Sequence, residues 1–163
     1  MRPVSRLGLT AHALAAGVIV LDQAVKYWVL AVFRLPERQS APVWGPLRLT
    51  MVQNRGISFG FLQAQADWAR WLLVVFSVGV AVGLAWWVRR ADRPIPALAV
   101  GFIIGGAVGN AIDRIRLGWV ADFLDFSQLH FPWVFNVADS AINVGVALIL
   151  LDAVLAPPKR APA

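Results

Sequence analysis

The sequence predicts an integral membrane, all-α protein: a four-transmembrane-helix bundle with a small extracytoplasmic β-sheet, or cradle, between helices 1 and 2. Three observations lead there. Four apolar runs reach or approach the roughly 20 residues that a helix needs to cross hydrocarbon. The 163-residue chain is 59% hydrophobic and only 15% charged. Its arginines flank the apolar runs instead of gathering into one basic stripe. The length suits one domain, so residues 1–163 form a single membrane-embedded unit.

The first span covers about residues 7–32, preceded by Arg2 and Arg6. It is too long for the apolar core of a cleaved leader, and Asp22 and Lys26 lie inside it at i, i+4, so it is a retained anchor. That pair neutralises itself and serves as structural support. The loop of about residues 33–68 is more than a linker. Leu47–Met51 and Ile57–Phe61 alternate around Asn54-Arg55-Gly56, which predicts a strand–turn–strand unit on the outer membrane surface. The second span covers about 69–88, and Arg89, Arg90 and Arg93 fill the short loop after it. In the third span, about 95–112, Gly101, Gly105 and Gly109 recur every four residues, which lets another helix approach closely. A loop of about 113–137 leads to the fourth span, about 138–155, and a Pro-rich tail, 156–163, that is expected to be disordered.

The dense short basic segments put both termini and the loop between the second and third spans in the cytoplasm. Trp86 and Trp87 then mark the cytoplasmic interface, and Trp28, Trp68, Trp71, Trp119 and Trp133 the outer one.

Composition narrows the chemistry. The net charge of +6 comes without a basic stripe or base-stacking aromatics, which argues against a nucleic-acid partner. There is no cysteine, so disulfides, thiol catalysis and Cys-ligated metals are excluded. His12 and His130 are isolated, so zinc catalysis is not expected. Ser140 and His130 make no nucleophile–base pair. Carboxylates remain.

Ionisable groups near a bilayer are costly, and a cluster of them is a functional-site hypothesis. Asn110, Asp113 and Arg114 fall at i, i+3 and i+4 on one helical face, and Asn136, Asp139 and Asn143 do the same at i, i+3 and i+7. Both polar faces should turn inward at the outer ends of their helices, with Asp122 in the connection between them. Asp113 with Arg114 could equally be a structural ion pair, and the asparagines interhelical glue. Asp122 and Asp139 have no neighbouring cation in sequence. Asp125 reads as a solvated loop residue, and Asp92 and Asp152 as bystanders on the cytoplasmic side. Three functions fit these residues: a hydrolase, a small proton-coupled transporter or channel subunit relaying protons through Asp139, Asp113 and Asp22, and a non-catalytic lipid-binding or assembly factor. No inverted repeat of the transporter kind is visible.

Five segments resemble the lipoprotein signal peptidases, or signal peptidase II. They are Leu21–Lys26, Asn54–Gly60, Gly105–Arg114, Val120–Phe123 and Phe135–Ser140, in order along nearly the whole chain. The resemblance implies an aspartic-type endopeptidase of the bacterial cytoplasmic membrane. It would remove the signal peptide from diacylglyceryl-modified prolipoproteins immediately before the lipidated cysteine. It implies Asp122 and Asp139 as the catalytic dyad, with Asn54, Gly56, Asn110, Asp113, Arg114 and Asn136 lining or supporting the site. Asp22 and Lys26 keep their structural role. No cofactor or metal is implied. Membrane lipids and globomycin-like inhibitors are the further expected partners, and a monomer is the expected state. Two carboxyl groups close together share one proton, so the pair can act at once as base and acid.

Overall fold

A computed structural model describes residues 3–57, 62–63 and 67–155. Among the described residues four helices are long and apolar enough to cross a membrane: α1 (Arg6–Tyr27, continued by a π-helical turn Trp28–Val32), α3 (Asp67–Val88), α4 (Pro94–Arg116) and α5 (Val137–Leu155). A one-turn helix, α2 (Leu35–Arg38), follows the first span. Ser5 caps α1, its side chain accepting the N–H of Gly8 at 3.0 Å.

Helix α4 is the central member, with α1, α3 and α5 each packed against it. Its small residues explain the closeness. A Cβ on Gly105 would lie 2.6 Å from the Val18 side chain of α1, and one on Gly106 would strike the Ala138 carbonyl of α5. The four-residue glycine stripe is therefore a helix–helix contact. Ala11, Ala15, Val100 and Ile104 fill the buried seam beside it.

A four-stranded antiparallel sheet sits at the end of the bundle where α4 finishes and α5 starts, in the order β1–β2–β5–β6. Its strands are β1 (Ser40–Trp44), β2 (Leu47–Asn54), β5 (Val120–Asp125) and β6 (Val134–Phe135); β3 (Gly56–Ile57) and β4 (Leu62–Gln63) form a separate short ribbon.

Four expectations need correction. The sheet is not confined to the connection between the first two spans, because β5 and β6 come from the connection between the last two. Leu47–Met51 pairs with Ser40–Trp44 and with β5, while Ile57, at the start of the expected partner strand, pairs with Leu62. A two-residue turn with Gly45 at φ +53° allows the first of these pairings; Ser58–Phe61 lie outside the described residues, as does the 156–163 tail. The third span continues a turn further, to Arg116, so Asp113 and Arg114 are helical and not in a loop. Asp122 is delivered by a strand, not a loop.

Candidate active site

Asp122 and Asp139 reach one set of amides from different elements. On β5, successive side chains face opposite ways. Phe123 packs into a cluster with Val29, Leu35 and Leu49, so Asp122 beside it turns to the other face. Its cross-strand partner is Val52, with Asn54 two residues further along β2 and within diagonal reach. Asn54 Nδ2 donates to Asp122 Oδ2 at 3.1 Å, and Gly56 N donates to Asn54 Oδ1 at 3.1 Å, which fixes that amide.

Asp139 is the third residue of α5. Its N–H donates to Asn136 Oδ1 at 2.9 Å, and the Asn136 N–H donates back to Asp139 Oδ2 at 3.3 Å. This is the reciprocal arrangement of a capping box, so the start of α5 and the position of Asp139 are set together. Asn136 also crosses to β5: its Nδ2 donates to Asp122 Oδ1 at 2.7 Å and to Asn110 Oδ1 at 3.2 Å. Asn110 Nδ2 donates to Asp139 Oδ1 at 2.7 Å.

Three neutral amides thus hold the two carboxyl groups. Among the described residues, no lysine or arginine lies within ion-pair distance of either. Burial, with the neighbouring charge of Asp139, pushes the Asp122 carboxyl up to about 7, against the lowering effect of its bonds to Asn54 and Asn136.

Beneath this pair lies a second one. Lys26 Nζ sits 2.9 Å from Asp22 Oδ2 and 2.7 Å from Asp113 Oδ2, all three side chains being buried. Each of these carboxylates also takes a backbone N–H. Ala121 N donates to Asp113 Oδ2 at 3.1 Å and Ala138 N donates to Asp22 Oδ1 at 2.9 Å. Ala121 and Ala138 are the residues immediately before Asp122 and Asp139. The triad therefore anchors both backbones that present the upper pair. Lys26 Nζ touches Asn110 Oδ1 as well, at 3.2 Å, which joins the two layers.

Asp22, Lys26, Asn54, Asn110, Asp113, Arg114, Asp122, Asn136 and Asp139 fall in or beside these two layers, but some roles differ. Asp113 pairs with Lys26 of α1 and not with Arg114, since adjacent helical residues face different directions. The Arg114 guanidinium donates to the Asn110 carbonyl at 3.4 Å and lies within electrostatic reach of Asp139 and Asp122. Asn143 stands exposed, outside the cluster. Asp125 is not a solvated loop residue: it ends β5, is buried, and accepts bonds from Thr50 Oγ1 at 2.6 Å and Ser127 N at 2.8 Å. Asp152 holds Arg93 at 2.6 Å.

Gln23 is the residue that sequence reasoning missed. Its Nε2 lies 3.1 Å from Asp22 Oδ2, 3.0 Å from Asp113 Oδ1 and 3.2 Å from the Gly109 carbonyl. Its place between Asp22 and Lys26 in the segment Leu21–Lys26 was the available signal. Among the described residues, no group of three or more His, Asp or Glu could hold a metal ion.

Comparison with known proteins follows the same outline. Residues 14–155 match the family model described as signal peptidase (SPase) II. The lipoprotein signal peptidase of Caulobacter vibrioides is 54% identical over 153 residues, covering 93% of this chain and 90% of that one. That of Rhizorhabdus wittichii is 42% identical over 151 residues, covering 91% and 88%. Among solved structures, a bacterial membrane enzyme determined by the in meso method at 2.3 Å superposes with a TM-score of 0.78 at 25% identity, covering 100% of this chain and 99% of that one. A second, at 1.9 Å, gives 0.76 at 27% identity, covering 97% and 99%.

Proposed function

The chain belongs to the signal peptidase II family, and from that premise we propose that Asp122 and Asp139 are the pair with which it cleaves. It is a multi-pass protein of the bacterial inner membrane, a protease that removes signal peptides from prolipoproteins. The finer reading concerns how. Its substrate is the diacylglyceryl-modified precursor, cut immediately before the lipidated cysteine. The site faces outward, with both termini in the cytoplasm.

One observation carries the dyad: a buried carboxyl group, Asp122, and a half-buried one, Asp139, are held by three neutral amides, Asn136 bonding to both, and among the described residues no cation lies within ion-pair distance of either. In line with such a pair, the Asp122 carboxyl is raised to about 7 and keeps its proton below that pH. The ionised member takes a proton from water, whose oxygen adds to the scissile carbonyl carbon. The protonated member donates to the carbonyl oxygen. When the tetrahedral intermediate collapses, the C–N bond breaks and the leaving amine takes up a proton. The pair titrates as a unit, so neither residue owns one role.

The supporting residues divide by layer. Asn54, held by Gly56, and Asn110 and Asn136 orient the two carboxyl groups. Arg114 presents planar donors suited to a substrate carbonyl. Asp22, Lys26 and Asp113 act from beneath, through the backbone at Ala121 and Ala138. A monomer is the state proposed to act. A globomycin-like cyclic peptide should compete for the same site.

The test uses purified protein and a diacylglyceryl-modified prolipoprotein. Asp122→Asn and Asp139→Asn should each lower cleavage by about 10³-fold or more, and the unmodified precursor should remain uncut. Cleavage that survives either substitution sinks the dyad.

A further inference from the structure

At the membrane face opposite the aspartates, a cavity of about 880 Å³ opens between the helices. It is bordered by Leu84 and Trp87 of α3, Pro96 and Val100 of α4, and Ile149 of α5. At its mouth the α3–α4 turn contributes Arg89, Arg90 and Arg93. We propose that this groove is a binding site for an anionic phospholipid, an acyl chain lying along the apolar walls and the phosphate meeting the arginines. The proposal is independent of what the aspartates do.

An apolar-walled hollow within a membrane-spanning bundle is a poor place for water and a good one for hydrocarbon. The polar groups at its mouth decide which amphiphile enters. Asp152, in the cavity lining near the end of α5, is paired with Arg93 at 2.6 Å. Asp92 also lines the cavity, so three arginines stand against two carboxylates; among the described residues no carboxylate lies within ion-pair distance of Arg89 or Arg90, and the mouth keeps a net positive charge. Basic pockets between helices at this depth suit phosphate headgroups. Trp86 and Trp87, 66% and 54% exposed, supply the indoles that favour the headgroup level.

The mouth is also preformed. Ser5, the N-cap of α1, donates its N–H to the Arg89 carbonyl and its hydroxyl to the Ala91 carbonyl, both at 2.9 Å. The turn is thereby tied to α1, and less order has to be imposed when a headgroup binds. The chain's own C-terminal segment is a worse occupant, since Lys159 and Arg160 carry the same sign as the mouth.

Native mass spectrometry of the full chain, delipidated in neutral detergent and offered equimolar phosphatidylglycerol and phosphatidylcholine, tests this. One phosphatidylglycerol should be retained in about tenfold preference. The double variant R89Q/R90Q should reduce that preference to near unity while still cleaving prolipoprotein in the same detergent, which shows that it is folded. Inorganic phosphate at matched concentration should not displace the lipid. Equal retention of the two lipids, or a preference unchanged in R89Q/R90Q, overturns the proposal. So does displacement by phosphate alone, which would mean an anion site with no role for the acyl groove. Should the double variant fail to fold, R90Q alone at the more exposed arginine must still lower the preference severalfold.

Discussion

The end of this bundle where α4 finishes and α5 starts holds two pairs of carboxyl groups, one above the other, all buried but the half-buried Asp139, and they are solved in opposite ways. Asp22 and Asp113 have a lysine between them at 2.9 and 2.7 Å. Asp122 and Asp139 have only amides. A cation between two carboxylates lets both stay ionised and ties three elements together. Neutral amides leave a pair that must keep a proton, and a retained proton is what acid–base chemistry uses. On the proposed reading the same residue type is structural in one layer and reactive in the next, and the partner decides which.

The sharpest way to break this comparison is to remove a member of each layer. Lys26→Met leaves two buried carboxylates uncompensated, which is expected to cost about 3–5 kcal/mol of stability. Thermal unfolding in detergent should shift down strongly, and cleavage should fall with it. Asp139→Asn should instead abolish cleavage while the melting temperature moves little, since the amide retains an oxygen to accept from Asn110 or Asn136. A Lys26→Met protein that melts like wild type would erase the distinction between the layers.

How much of this was legible in the sequence depends on whether the partner is near in the chain. Asn110, Asp113 and Arg114 could be put near one another on a helix from spacing alone, and α4 does carry all three in its last two turns. The pairing of Asp113 was not legible, because its cation arrives from α1, far along the chain, while the adjacent Arg114 points elsewhere. Likewise the bonds from Ala121 and Ala138 join backbone donors to carboxylates on other helices, and no residue type announces a backbone N–H. Asp125 was misjudged for a different reason. Val120–Asp125 is buried along nearly its whole length, so it lacks the polar–apolar alternation that marks a half-exposed strand. The capping box between Asn136 and Asp139 was available locally, three residues apart, and ties the helix start to the proposed chemistry.

A finer test separates the layers by pH. Asn54 bonds to the charged form of Asp122 and so holds its pKa down. If the singly protonated pair is the active form, cleavage should decline as pH rises through about 7, where Asp122 loses its proton. Asn54→Ala removes the bond, so the Asp122 carboxyl rises further and the alkaline limb of kcat/KM should move to higher pH, by up to about one unit. Turnover at the optimum should drop about tenfold as the carboxyl loses its orientation. Gln23→Ala, in the lower layer, should leave the position of the limb unchanged. A limb that moves with Gln23 and not with Asn54 would reverse the assignment.

The smallest expected effect is at the far end of β5. Thr50 Oγ1 and the Ser127 N–H hold the Asp125 carboxyl below the usual carboxylate range. A carboxyl lowered by folding stabilises the native state above its unfolded value of about 3.9, and that contribution is lost as pH falls through the folded value. Thr50→Val deletes the hydroxyl but keeps the shape, and at neutral pH it should cost about 1 kcal/mol. On acidification below the ordinary carboxylate range, wild type and variant should converge in melting temperature, because both have then lost the ionised acceptor. Cleavage should survive, since Asp125 neither bonds to the proposed dyad nor joins the lysine triad. A gap between the two proteins that stays constant from neutral to acid pH would show that the hydroxyl contributes through packing, with no electrostatic link to Asp125.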